Sequence, residues 1–163
     1  MTLTTVHDPV SRVRMAFEPA GDDLVVHCWL QPGGGLPAHF HPRQTEIWSA
    51  VEGRARFLVG DEWREVGPED GDVVVAPGVV HGVAAVEDRE VRLHTLVQPA
   101  LNLQAFLEES AAAAQKGLFT PKGRPRGLRG ARWAARFLKR YRDETVFVSP
   151  PQPVQRLLIA LLA

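Results

Sequence analysis

Proline and glycine cut the first hundred residues of this chain into short β-type runs. Arg12–Phe17, Leu24–Gln31, Thr45–Val51, Arg54–Val59, Asp72–Ala76 and Glu90–Val97 are β-branched or alternate apolar with polar residues, the pattern of half-buried strands. Between them stand turn signals at Pro19-Ala-Gly-Asp22, Pro32-Gly-Gly-Gly35, Gly60-Asp61, Pro68-Glu-Asp-Gly71 and Pro77-Gly78,. Strands this short, recurring about every ten residues, predict a sandwich or a barrel.

Near Gln98–Leu101 the composition changes to Ala, Leu and Arg in helical spacing. Leu101–Lys116 is one expected helix, closed by Gly117 as a C-cap. Ala131–Arg142 is a second, and a Pro/Gly-broken basic linker from Thr120 to Gly130 joins them. The charge divides at the same place. Residues 1–100 hold 8 Lys+Arg and 15 Asp+Glu, a balance of −7, and residues 101–163 hold 11 and 4, a balance of +7. The neutral total therefore hides an acidic front and a basic tail. We divide the chain into a β domain, 1–99, and a helical, basic C-terminal extension, 100–163.

The chemistry concentrates in two clusters. His39-Phe-His41 puts two imidazoles at i and i+2, one face of a strand,. Pro42-Arg-Gln-Thr45 permits a turn, so an antiparallel return brings Glu46 beside them. The second cluster, Gly71 to His81, is a strand that runs into Pro77-Gly78, with His81 just beyond. Three imidazoles and a carboxylate on adjacent strands make a mixed N/O site for one divalent transition metal, Fe, Mn, Ni, Zn or Cu. Such a site leaves a coordination position open, which points to catalysis.

These residues carry a family resemblance. Gly33-x5-His39-x-His41-x4-Glu46-x6-Gly53 resembles the first motif of the cupins, and Gly71-x5-Pro77-Gly78-x2-His81 resembles the second, with one residue fewer between proline and glycine. The asparagine that often follows four residues later is Ala85 here. The resemblance covers about residues 10–98. It implies a mainly β fold, a double-stranded β-helix (jelly-roll) barrel, with the C-terminal α-helices outside the family core. It also implies His39, His41, Glu46 and His81 as metal ligands in the lumen, and a homodimer by family habit.

Period-two alternation places Trp48 on the face of Glu46, and Phe57 on the next strand, as walls of an apolar substrate pocket. His94 and Gln44 are added as pocket residues, and His27 is a further inward candidate. Cys28 reads as a small buried apolar residue. As the only cysteine, it excludes an intrachain disulfide and a Cys-based zinc finger,.

Within Ala131–Arg142, Trp133, Phe137 and Tyr141 recur at i, i+4 and i+8 opposite a cationic face,. The stripe packs on the barrel or on a partner subunit, with its cations meeting the acidic front. The alternatives are an anionic membrane surface, met through residues 131–142, or nucleic acid, for which no binding fold or base-stacking motif is present. The Leu-rich end, Pro153 to Ala163, is too short to span a bilayer and is expected to bury itself in an intrachain groove or a dimer contact.

The functional expectation is a metal-dependent enzyme, dioxygenase-like, acting on a small, partly apolar molecule. An isomerase or lyase would use the same ligands, and a metal that merely stiffens the barrel is a structural alternative. A ligand-binding or sensing module would use the extension to reach a partner or a membrane. The first fifteen residues have no apolar signal segment,, so a cytoplasmic protein is expected.

Overall fold

A computed structural model describes residues 4–163; residues 1–3 of the N-terminal segment read above lie outside it. The barrel strands are β1 (Thr5–Asp8), β2 (Val13–Ala20), β3 (Asp23–Leu30), β4 (Gly35–Phe40), β5 (Thr45–Glu52), β6 (Ala55–Val59), β7 (Glu62–Val66), β8 (Val73–Val75), β9 (His81–Ala85) and β10 (Val91–Gln98). After them come α1 (Leu103–Gln115), α2 (Gly127–Arg140), β11 (Val146–Phe147) and α3 (Gln152–Leu162). The strands form two antiparallel sheets, ordered β1-β2-β3-β10-β5-β8 and β11-β4-β9-β6-β7. They face each other as a jelly roll.

Buried and less buried positions alternate along the strands, and the buried set is the inner face. Leu24, Val26, Cys28 and Leu30 of β3 are buried, as are Val91, Leu93, Thr95 and Val97 of β10. With Trp48, Phe57, Val73, Val75 and Val83 they fill the space between the sheets. Burying such side chains stabilises the fold by roughly 1.5–3 kcal/mol each.

The extension continues this core. Phe106 of α1 packs at a tilt against Phe137 of α2 with ring centroids 4.9 Å apart and meets Tyr141 edge-on at 5.5 Å. Trp133 stacks on Phe137 at 4.6 Å and meets Phe119 at 5.6 Å. The aromatic stripe therefore packs within the chain. Its cations do not meet the acidic front: among the described residues, Arg140 pairs with Glu109 and Arg142 with Asp143, both within the extension.

Three local expectations change. Helix α2 begins at Gly127, inside the stretch read as linker, because Gly130 lets the helix approach the Leu118 carbonyl, from which a Cβ would lie only 2.5 Å away. The two-residue strand β11 adds to the smaller sheet from within the extension. The leucine-rich α3 does not enter an intrachain groove. Gln155 anchors it by donating to the carbonyls of Phe147 and Pro150 at 2.7 and 2.6 Å, while Leu157 and Leu161 are 59% and 70% exposed. No helix among the described residues is long and apolar enough to cross a membrane.

Gly35 is required for space. It pairs with Ala84 across β4 and β9, and a Cβ there would collide with the carbonyl of Val83. Gly35→Ala is expected to destabilise the barrel by about 1–3 kcal/mol, the usual cost of overpacking. The urea midpoint should fall with an unchanged m value; an unaltered midpoint would show that the β4–β9 contact is not tight.

Candidate metal centre

The site joins the two sheets. His39 on β4 is the register partner of His81 on β9, and His41 stands one residue beyond β4. The Pro77-Gly78 turn holds this rim, its Gly78 N–H donating to the His41 carbonyl at 2.8 Å. Gly78 needs its φ of +80°, which only glycine adopts freely,. Glu46 reaches in from β5 of the opposite sheet. All four side chains are buried, with Glu46 3% exposed.

The three rings crowd together. Ring centroids are 4.3 Å apart for His39 and His81, 4.9 Å for His39 and His41 and 5.2 Å for His41 and His81. One ligating nitrogen from each lies within 4.8 Å of the others. Each Nδ1 faces a backbone carbonyl: His39 that of Pro37 at 2.7 Å, His81 that of Val79 at 3.0 Å and His41 that of Glu144 at 2.7 Å. A carbonyl can only accept, so Nδ1 carries the proton and Nε2 presents a lone pair. This is the arrangement by which a protein orients histidine ligands.

At Glu46, acceptor faces acceptor. Its Oε1 is 3.1 Å from Nε2 of His41 and its Oε2 is 3.0 Å from Nε2 of His81. Trp48 Nε1 donates to Oε2 at 2.7 Å. Although close, neither Nε2 has an aligned hydrogen-bond partner, and both are buried. Lone pairs facing a carboxylate across 3 Å are reconciled only by a cation between them, a proton or a metal. The three imidazoles converge as a possible metal site, with the Glu46 carboxylate beside two of them, and such donors suit a divalent transition metal,.

The expected pocket residues separate into two groups. Trp48 and Phe57 touch, with ring centroids 5.9 Å apart, and with Leu36, Val75 and Val83 they wall the lumen beside His39 and His81. These side chains close on one another without a water-sized space. Gln44 is buried, but its amide donates to the Ala100 carbonyl at 2.9 Å, tying the barrel to the start of the extension. His94 is not a lumen residue. In β10 it is Val97, Thr95 and Leu93 that pair with Glu46, Trp48 and Ala50 and share their inner face. His94 therefore points outward, opposite His27, with ring centroids 6.3 Å apart. His27 likewise faces out, and contacts Glu18.

Sequence reasoning missed Glu144 and Thr145. The Glu144 carbonyl orients His41, and the Thr145 hydroxyl lies 3.3 Å from the same Nδ1. The single signal was a carboxylate just after the basic helix, which is too weak to place it.

Comparison with known proteins agrees with this architecture. Residues 26–97 match the family model of the cupin domain. An RmlC-like cupin from Shewanella frigidimarina superposes with a TM-score of 0.56 at 18% identity, over 63% of this chain and 89% of that one. KdgF from Halomonas sp. gives 0.53 at 20% identity, over 57% and 85%. A predicted oxalate decarboxylase from Thermotoga maritima gives 0.52 at 16% identity, over 60% and 91%. An oxidoreductase of Arthrobotrys oligospora is 38% identical over 45 residues, 28% of this chain and 18% of that protein. The chain thus matches under a fifth of that relative's length.

Burial shifts the titrating groups. His39 is pushed down to about 3, by burial first and then by its neighbours His81 and His41. For His41 burial also acts downward, but Glu46 and the Glu144 carbonyl outweigh it and its pKa is raised. Glu46 is held well below the usual carboxylate range, because His41 and His81 outweigh the opposing effect of burial. Burial, then Glu46, pushes the Cys28 thiol up to about 12 and keeps it inert,.

For metal-free protein the folded state refuses a proton at His39 that the unfolded chain accepts. That contribution is complete above the ordinary value of 6.5 and is lost as pH falls toward about 3,. Glu46 adds to the loss below its ordinary value of 4.5. His41 acts in the opposite sense, its contribution fading as pH rises through its raised value. The urea midpoint in chelator should therefore fall on acidification below about 6.5, and less steeply in His39→Gln,. A flat wild-type profile there would refute a neutral, buried His39.

Proposed function

From the match of residues 26–97 to the cupin domain we propose that this chain is a metal-dependent enzyme acting on a small, partly apolar molecule. His39, His41, Glu46 and His81 would hold one divalent transition metal. The observation that carries this reading is the pair of buried Nε2 lone pairs set against the Glu46 carboxylate. Bound there, such a metal supplies a charged centre that fixes a substrate oxygen and, with a redox-active ion, activates O₂. The reading is dioxygenase-like because the wall beside His39 and His81 is apolar and carries no second acid–base pair. Trp48 and Phe57 would admit a small apolar group by parting, and would exclude water from it. An isomerase or lyase is the alternative with the same ligands, Glu46 then moving the proton.

Elemental analysis of protein purified without a metal-affinity tag is expected to give close to one Fe, Mn, Ni, Zn or Cu per chain, lost in a His39→Ala/His81→Ala double variant. Fe(II)-loaded protein should then consume oxygen with some member of a panel of phenols, diketones and thiols. Turnover without oxygen uptake would replace the oxygenase by the isomerase or lyase. A wild-type site that refuses every added metal would end the enzyme reading.

A second reading, a binding or sensing module, is favoured by the outer surface of the extension. On α2, Arg129, Arg132, Arg136 and Lys139 have no carboxylate partner among the described residues. A groove of about 500 Å³ runs between Leu128, Trp133 and the three arginines. On α3, Val154, Leu157, Leu158 and Leu161 are exposed. Unpaired cations beside leucines suit an anionic membrane surface. The full chain should then sediment with vesicles containing phosphatidylserine but not with phosphatidylcholine alone. Each cation is worth roughly 1 kcal/mol at such a surface, so Arg132→Glu/Arg136→Glu should weaken binding more than tenfold. A chain that ignores both vesicles and elutes as a dimer would assign the surface to a second copy instead.

A further inference from the structure

We infer that the C-terminal extension is a working part of the metal centre, with Glu144 clasping it onto His41 so that docking of the extension and metal binding strengthen each other. The inference rests on the metal reading above. Three contacts build the clasp. The Glu144 carbonyl accepts the Nδ1 proton of His41 at 2.7 Å, across 103 positions of sequence. The Glu144 carboxylate turns the other way, to the start of α1. It accepts from Asn102 Nδ2 at 2.9 Å and from the Asn102 backbone N–H at 3.2 Å. Beyond it, Val146 and Phe147 pair with Phe40 and His39, and the Val148 N–H donates to the Ala38 carbonyl at 3.1 Å.

Glu144 is 3% exposed. A buried carboxylate is retained only where hydrogen bonds or charge compensate it. Here the compensation comes from the side-chain amide and the backbone N–H of Asn102, at the N-terminal end of α1,. The carboxylate thus fixes the backbone whose carbonyl reaches His41.

Coupling follows from the chemistry of imidazole. A cation on Nε2 withdraws electron density from the ring and makes Nδ1–H a stronger donor, so the bond to Glu144 tightens when metal binds. Reciprocally, a docked Glu144 carbonyl raises the basicity of Nε2. Linkage requires the two effects to be equal in free energy. The carbonyls on His39 and His81 lie two residues before each ring, inside the barrel. His41 alone takes its orienting group from the extension, which makes Glu144 a positioning residue for the site.

The experiment uses the full chain and Co(II) alone as the probe. Asn102→Asp sets two carboxylates against each other and should weaken Co(II) binding about ten- to a hundredfold, the usual cost of losing a group that orients a ligand. Adding Glu144→Gln restores a donor–acceptor pair, since the new amide can donate to the carboxylate introduced at position 102 and accept from the backbone. The double variant should recover most of the affinity. The visible spectrum of bound Co(II) should shift in the single variant and return in the double. In wild-type protein, amides of residues 146–148 should exchange at least tenfold more slowly once Co(II) is saturating. This measurement needs no variant to fold. Wild-type protein that binds Co(II) with unchanged exchange at 146–148, or an Asn102→Asp variant of wild-type affinity, would overturn the clasp and leave the metal reading standing. Wild-type protein that binds no Co(II) would overturn both.

Discussion

What the lumen can do is set by the hydrogen bond that each site imidazole makes through Nδ1. Histidine has two nitrogens, and a ring free to choose would place either one inward. Here three backbone carbonyls fix the choice, and all three rings turn Nε2 toward the centre. The carbonyls of Pro37 and Val79 do this locally, each two residues ahead of its own histidine, just where β4 is irregular and where the Pro77-Gly78 turn ends. The third carbonyl comes from the far end of the chain. The site is therefore assembled by backbone geometry more than by side-chain packing, and the two sheets hold that geometry rigid.

Electrostatics explains why these groups tolerate burial. A lone carboxylate between the sheets would be strongly disfavoured. Glu46 is accepted because Trp48 donates to one oxygen and two imidazoles flank both. Burial, with a smaller push from the same carboxylate, raises the Cys28 thiol and disfavours its thiolate,. His39 stays neutral because it is buried beside two other imidazoles. One site thus holds a histidine that resists protonation and another that welcomes it, and a cation at the centre answers both.

The features legible in the sequence are those with short-range causes. The runs around Leu24–Gln31 and Glu90–Val97 are apolar enough to read as strands, and in the sheets their buried positions alternate with less buried ones. His39 and His41 sit two apart, which local geometry alone secures, but Glu46 does not return antiparallel beside them: it meets them across the barrel, from β5 in the opposite sheet. The long-range contacts were not legible. Val146–Phe147 is too short and too isolated to read as a strand, and long-range contacts, the aromatic packing of Phe106 with Phe137, Tyr141 and Phe147 and the bonds of Glu144, bring it to the edge of β4. His94 was placed one face wrong because alternation gives two faces without saying which is inner. The register against Glu46 decides it. Gln44, between His41 and Glu46 in the sequence, is tied by its buried amide to the Ala100 carbonyl, a contact that spans 56 positions and that no local pattern announces.

The division of charge acquires a physical meaning from the same contacts. A basic extension folded against an acidic barrel would be expected to neutralise it, yet the cations of α2 stay on its outer face while the inner face is aromatic. Packing of Trp133, Phe137 and Tyr141, rather than attraction between opposite charges, seats the extension. This leaves the outer cations free, and it leaves α2 mechanically close to the lumen. Tyr141 closes the helix, and its carbonyl accepts the backbone N–H groups of Glu144 and Thr145 at 2.9 and 3.2 Å. The residue that orients His41 is therefore bonded to the last turn of the helix that carries the exposed charge.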